Sequence, residues 1–192
     1  MKKINVTSIR LVRESSRAYN VDSMEIHNAD DAAQIFEAVF DMSARAQEIA
    51  AVLFSNNQNE VVGASMFGMG SVNASLFPVQ EVMKRALLHN ANNVFLAHNH
   101  PSGHVNPSRE DWASTDRMKE AGKILDISVV DHIIIGAGKY VSLLEMENSG
   151  NEFATEPEVA RHYTYPIVMP KKEKVVKKVG TNYASIWEPT LF

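Results

Sequence analysis

The sequence predicts an α/β fold of the α+β-like kind, a mixed β-sheet with helices packed around it, on three observations. Segments with apolar residues at helical spacing alternate with short β-rich runs. Two of those runs flank the turn Asn-Asn-Gln-Asn, so antiparallel pairing is expected beside crossover connections. The patterning fades near residue 148, which predicts one domain over 1–148 and an irregular, Lys-rich C-terminal tail over 149–192. A chain of 192 residues suffices for one domain with a full core and an appendage.

The elements follow in order. "KINVTSIRLV" alternates over Ile4, Val6 and Ser8 and then shifts phase, as a half-buried strand with an irregularity does. "NADDAAQIFEAVFDM" offers Asn28 or Asp30 as a helix cap, places acids in the first turn, and sets Ile35, Phe36, Val39 and Phe40 on one face. "EIAAVLFSNNQNEVVGASMFG" reads as an antiparallel hairpin. "FPVQEVMKRALLHNA" has Pro78 near a helix start and an apolar stripe of Val79, Val82, Met83, Ala86 and Leu87. "NVFLA" is a short buried strand running into His98, and "SREDWASTDRMKEAGKIL" returns to helical spacing. "SVVDHIIIG" and "YVSLLEM", joined by a turn at Gly136 to Gly138, read as a closing pair of strands.

Composition narrows the chemistry. No cysteine is present, so disulfides and thiolate metal sites are excluded, and any metal must be held by His, Asp or Glu. That composition, the lack of a signal-peptide pattern and the lack of a membrane-length apolar run lead to the expectation of a soluble cytoplasmic protein with no membrane partner. The net charge of -4 gives no global reason for tight binding to nucleic acid. Locally, "KKEKVVKKV" carries Lys171, Lys172, Lys174, Lys177 and Lys178 against one glutamate. It reads either as a contact for nucleic acid or an acidic partner, or as a solvated arm with a strand that docks on its own domain.

"LAHNHPSGHVNPSRED" concentrates the chemistry. On a continuing strand His98 and His100 share a face, with Cα atoms about 6.6 Å apart. Asp111, in the first turn of the next helix, is well placed to supply a third ligand. Two imidazoles and one carboxylate suit Zn²⁺ and leave a fourth position for water, whose pKa a bound metal lowers toward roughly 7. Ser108 to Asp111 also reads as a capping box, a role the serine can combine with a hydroxyl turned to substrate. A pair of loop histidines is the plain alternative for His98 and His100. The combination His-x-His, seven residues, Ser, two residues, Asp arises by chance in roughly one such chain in a thousand, which favours the metal reading.

These residues resemble the signature of the JAMM (JAB/MPN) metalloenzymes, and more narrowly the bacterial RadC-type branch. The resemblance runs from about Ile4 to Leu144 and includes "VQEVMKRALLHNANNVFLAHNHPSG" and "DHIIIGAGKYVSL". It implies a curved mixed sheet with flanking helices, of JAMM/cytidine-deaminase-like architecture, with Zn²⁺ held by His98, His100 and Asp111. It also implies an upstream glutamate that activates water, by position Glu48 in "AQEIAAVLF", with Glu37 and Glu60 within reach in sequence. Ser108 would donate a hydrogen bond to the developing oxyanion. His104 departs from the acidic residue often seen there. Of Asp131 and His132, on opposite faces of a strand, at most one can face the site, and Trp112 reads as core or rim.

The resemblance implies a zinc-dependent hydrolase, a metallopeptidase or isopeptidase acting on a peptide or protein. Two alternatives stand beside it. One is a metal-dependent nuclease or DNA-repair accessory protein, and the other a non-catalytic zinc-containing interaction module. The helix-hairpin-helix region of longer RadC-type proteins is absent from this sequence, which weakens a DNA role drawn from the family, and short forms of this kind are familiar from mobile elements.

Overall fold

Runs of Val, Ile, Leu, Phe and Ala form strands that lie buried on both faces, and these are the centre of the molecule. The computed structural model describes residues 19, 21–68 and 76–170. Over them the chain forms α1 (Ala29–Phe40), a 3₁₀ turn (Met42–Ala44), β1 (Ile49–Ser55), β2 (Val61–Gly68), α2 (Val79–Leu88), β3 (Asn93–Asn99), α3 (Arg109–Leu125), β4 (Ser128–Gly136), β5 (Lys139–Ser142), α4 (Leu143–Asn148), α5 (Pro157–Arg161) and β6 (Thr164–Pro166). One sheet runs β2-β1-β3-β4-β5-β6. Only β3 and β4 pair in parallel, and α3 lies between them in the chain; the other pairs are antiparallel. The sheet is therefore mixed, as expected.

Strand alternation divides the core. Ile49, Ala51, Leu53, Phe95, Ala97, Ile133 and Ile135 pack with Ile35 and Phe36 of α1 on one face. Ala50, Val52, Phe54, Val94 and Leu96 pack with α2 and with Met118 of α3 on the other. A third cluster joins Trp112, Ile134, Val141, Leu143 and Met146. Each fully buried side chain of this size stabilises the fold by about 1.5–3 kcal/mol, and helices on both faces explain why β1 is buried at every position.

Local signals set the boundaries. Asn28, not Asp30, caps α1 by accepting from the Asp31 backbone N–H at 3.0 Å. Asn59 adopts a left-handed φ of 59° in the β1–β2 turn. Ala137 and Gly138, at φ 49° and 71°, close a two-residue hairpin between β4 and β5. On α2, Val82, Met83 and Ala86 are buried but Leu87 is exposed.

Two expectations need correction. "YVSLLEM" is strand only through Ser142, because that serine's hydroxyl accepts from the Glu145 N–H and caps a short helix over the rest. Regular structure also continues past residue 148: α5 follows, and β6 pairs with β5 as an edge strand. Trp112 helps to fasten this segment, donating from its indole N–H to Ala154 O at 3.1 Å, so it is a core residue. The strand expected at Ile4 to Val12 and the lysines Lys171, Lys172, Lys174, Lys177 and Lys178 lie outside the described residues.

Candidate metal centre

The site forms where the central strands end. His98 is the penultimate residue of β3 and His100 follows the strand directly. The His100 backbone N–H still bonds Ile135 O at 2.8 Å, so the ring starts from the sheet and not from a free loop. Beyond it the chain must turn sharply, and Gly136 makes room: a Cβ there would lie 3.0 Å from the Gly103 backbone.

The antiparallel register brings the acid from upstream. Ala50 pairs with His98, so extending the ladder by two residues sets Glu48 opposite His100. Asn99, buried between the histidines in sequence, holds that segment in place. Its Oδ1 accepts from the Ile49 N–H at 2.8 Å and its Nδ2 donates to Gln47 O at 3.2 Å. Glu48, His98 and His100 offer ligand atoms all within 4.8 Å of one another. Glu37 instead accepts from the Ser43 N–H inside its own segment, and Glu60 holds Asn56 in the hairpin turn.

The other carboxylate arrives from α3. Ser108 and Asp111 form a reciprocal capping box: Ser108 Oγ accepts from the Asp111 N–H at 3.1 Å, and Asp111 Oδ2 accepts from the Ser108 N–H at 2.7 Å. This fixes the carboxylate with Oδ1 3.2 Å from His98 Nε2 and Oδ2 3.8 Å from His100 Nε2. Burial opposes ionisation of Asp111, while His98, when its Nε2 carries a proton, and the Ser108 contacts favour the charged form and hold the carboxyl well below the usual range. The serine thus caps with its oxygen, and its side chain also favours the ionised Asp111 carboxyl.

A hydrogen-bond chain determines which ring nitrogens are bare. The Thr115 hydroxyl donates to Asp111 O at 2.7 Å, since a carbonyl can only accept. Its oxygen, 2.6 Å from His132 Nδ1, must then accept from that nitrogen. Burial lowers the His132 pKa well below its ordinary value, so the ring is neutral and its Nε2 is an acceptor. That Nε2 lies 2.7 Å from His98 Nδ1, which is therefore the donor. In a neutral ring the lone pair of His98 is then left on Nε2. His100 reaches the same state through its Nδ1, which donates to His104 O at 2.7 Å, and burial, with His98 next, lowers its pKa also.

Two bare Nε2 atoms consequently face each other at 2.9 Å, with Asp111 Oδ1 3.2 Å from the first. Acceptors at such distances repel unless a cation sits among them. The edge of a tetrahedron of ligands about 2.0–2.1 Å from zinc is about 3.3 Å, close to these separations, so the donor set fits such an ion. His98, His100, Asp111, Ser108 and Glu48 are all brought together here. Thr115 and Asn99 are the contributors that sequence reasoning missed. His132 is the member of the Asp131–His132 pair that faces the site, packed at 5.1 Å against the buried Phe77 ring. The ring of His104 is exposed, and its useful atom is the backbone carbonyl.

Comparison with known proteins agrees with this picture. Residues 26–149 match the family described as RadC-like JAB domain. The chain is 36% identical over 140 residues to a UPF0758 protein of Alkaliphilus oremlandii, covering 73% of this chain and 60% of the relative. It is 37% identical over 139 residues to one of Pseudomonas syringae pv. tomato, covering 71% and 62%. A UPF0758 protein of Methanococcoides burtonii is 46% identical over 99 residues, covering 52% and 43%. This chain thus matches about half of the length of such relatives. Among the described residues no helix is long and apolar enough to cross a membrane.

Proposed function

The chain belongs to the RadC-like JAB domain family, and from that premise we propose that it is a zinc-dependent hydrolase of the JAMM type, cutting a peptide or isopeptide bond in a peptide or protein. The observation that carries the reading is the convergence of His98 Nε2, His100 Nε2 and the fixed Asp111 carboxylate, which present three lone pairs to one point when both rings are neutral. Zinc held there would polarise a substrate carbonyl and make water a nucleophile near neutral pH.

The two carboxylates have different freedom, which supports different roles. Asp111 is clamped by its own helix cap, as a ligand should be. Glu48 is half-buried and makes no hydrogen bond through its carboxylate among the described residues, so it is free to take a proton from water and deliver it to the leaving amine. Ser108 lines the adjoining cleft, and its hydroxyl would turn to donate to the developing oxyanion.

Glu48→Gln tests the assignment. With zinc content checked by plasma mass spectrometry, turnover of peptide and isopeptide-linked substrates should fall by about 10²–10⁴-fold while the metal remains bound. Hydrolysis at the wild-type rate in that variant would remove Glu48 from the mechanism.

A further inference from the structure

Beside the metal centre lies an open cleft of about 800 Å³, bordered by the loop from His100 to Ser108, the start of α3, the β4–β5 hairpin and the α5–β6 segment. Its charge is at odds with that of the other described residues. Of the chain's 19 Lys and Arg and 23 Asp and Glu, nine and twenty respectively fall in the described residues. Yet three of those nine cations, Arg109, Lys139 and Arg161, line this cleft, and no Asp or Glu does. Among the described residues none of the three pairs with a carboxylate, as is true also of Arg45, Arg85, Arg117 and Lys123, while Lys84 and Lys119 do pair. Three elements distant in sequence each contribute one unpaired cation to a single concavity, in a body that is otherwise strongly acidic.

We propose that this cleft holds an acidic segment of a peptide or protein substrate, whose carboxylates pair with Arg109, Lys139 and Arg161 and so bring the adjoining bond to His98 and His100. The inference rests on the hydrolase reading for the word substrate; the binding itself does not. His100 and Ser108 line the cleft too, so a chain lying in it passes directly to the metal centre. A nucleic acid fits less well. No Phe, Tyr or Trp lines the cleft to stack on bases, and a long polyanion extending beyond three cations would meet the net negative charge of the described residues. The segments outside the described residues are poor occupants, because 1–18 has five basic residues against one glutamate and 171–192 five lysines against two glutamates.

The test is fluorescence anisotropy on the full chain at low salt, with a fluorescein-labelled peptide of alternating Gly and Glu, its Gln counterpart, and an oligothymidylate of matched charge. The Glu peptide should bind saturably and the Gln peptide should not. Arg109→Gln/Lys139→Gln/Arg161→Gln should weaken the Glu peptide by about tenfold, the sum of three exposed ion pairs. Arg45→Gln/Lys84→Gln/Lys123→Gln, which makes the same change in net charge outside the cleft, should leave affinity within about twofold. Equal losses in both triple variants, or no saturable binding, would overturn the proposal. Tighter binding of the oligothymidylate through the same three residues would replace it with a nucleic-acid site. Zinc content and peptide hydrolysis measured on the same samples separate the two readings. Cleft-dependent binding without hydrolysis strikes the hydrolase assignment alone, and hydrolysis without preference for acidic peptides strikes this one alone.

Discussion

Asp131 and His132 are neighbours on β4, both buried, and point to opposite faces of the sheet, yet they anchor polar clusters of opposite character. Around Asp131 the hydrogen bonds close. Its carboxylate accepts from the Ser142 hydroxyl at 2.7 Å, the His132 N–H at 2.7 Å and the Leu144 N–H at 3.1 Å, tying β4 to the β5–α4 junction. Around His132 they do not: the chain Asp111 O, Thr115, His132, His98 passes each proton away from the open end and leaves bare nitrogen at the surface of the site. A buried polar group with every partner supplied is structural, whereas one held so as to expose a lone pair is prepared for a cation.

The comparison is broken most severely by deleting the bare nitrogens. Wild-type protein reconstituted with zinc should carry about one ion per chain and, with zinc at a hundredfold excess over its Kd, gain about 2.7 kcal/mol of stability, seen as a rise of several degrees in Tm. His98→Ala/His100→Ala should lose both the ion and the gain. No zinc in either protein would leave the repelling acceptors unexplained and end the metal reading.

Cutting the chain one step back should weaken but not abolish binding. Thr115→Val keeps the shape and removes the acceptor for His132 Nδ1, so either tautomer of His132 becomes accessible and His98 is no longer fixed. Zinc affinity should fall by about 10–100-fold, measured by competition with a chromophoric chelator. Nitrogen chemical shifts of His98 in the zinc-free protein should show mixed tautomers. Unchanged affinity and a single tautomer would contradict the relay.

The other face should answer in stability and not in metal. Burial outweighs the hydrogen bonds at Asp131 and raises its pKa to about 6. The folded chain therefore binds this proton more tightly than an unfolded carboxyl of pKa about 3.9, and the contribution to stability is full below pH 4. It declines as pH rises from about 4 to about 6 and levels off above, a change of at most about 3 kcal/mol. Urea unfolding across that range should show the slope in wild type and a flatter one in Asp131→Asn, with zinc affinity of the variant unchanged. A tenfold loss of zinc affinity in Asp131→Asn would mean that the two faces are one system.

Most of the secondary structure was legible in the sequence, because amphipathic spacing and caps act within a few residues. Asn28, Ser108 and the Asn-rich turn stand where local chemistry puts them. The exception at Leu143 to Met146 is instructive: "LLEM" is apolar enough for a strand, and the cap from Ser142 with the pull of Asp131 on the Leu144 N–H turns it into a helix. The link to Asp131 spans separated parts of the chain and is invisible to a local window. The same holds for the tail, whose α5 and β6 are short and are held by packing against β5 and Trp112.

By itself the sequence determined that His98 and His100 share a strand face and that Ser108 and Asp111 close one helix cap, since both depend on backbone periodicity alone. Tertiary structure decided the rest. Pairing β1 against β3 carried Glu48 to His100 and not Glu37 or Glu60, and laying α3 and β4 beside β3 lined up Thr115, His132 and His98. Which nitrogen of a histidine holds the proton depends on the partner of the other nitrogen, and here that partner is 34 residues away. The cationic cleft needs the same assembly, because Arg109, Lys139 and Arg161 are separated in the chain and concentrate charge only when the sheet and its helices bring them to one side.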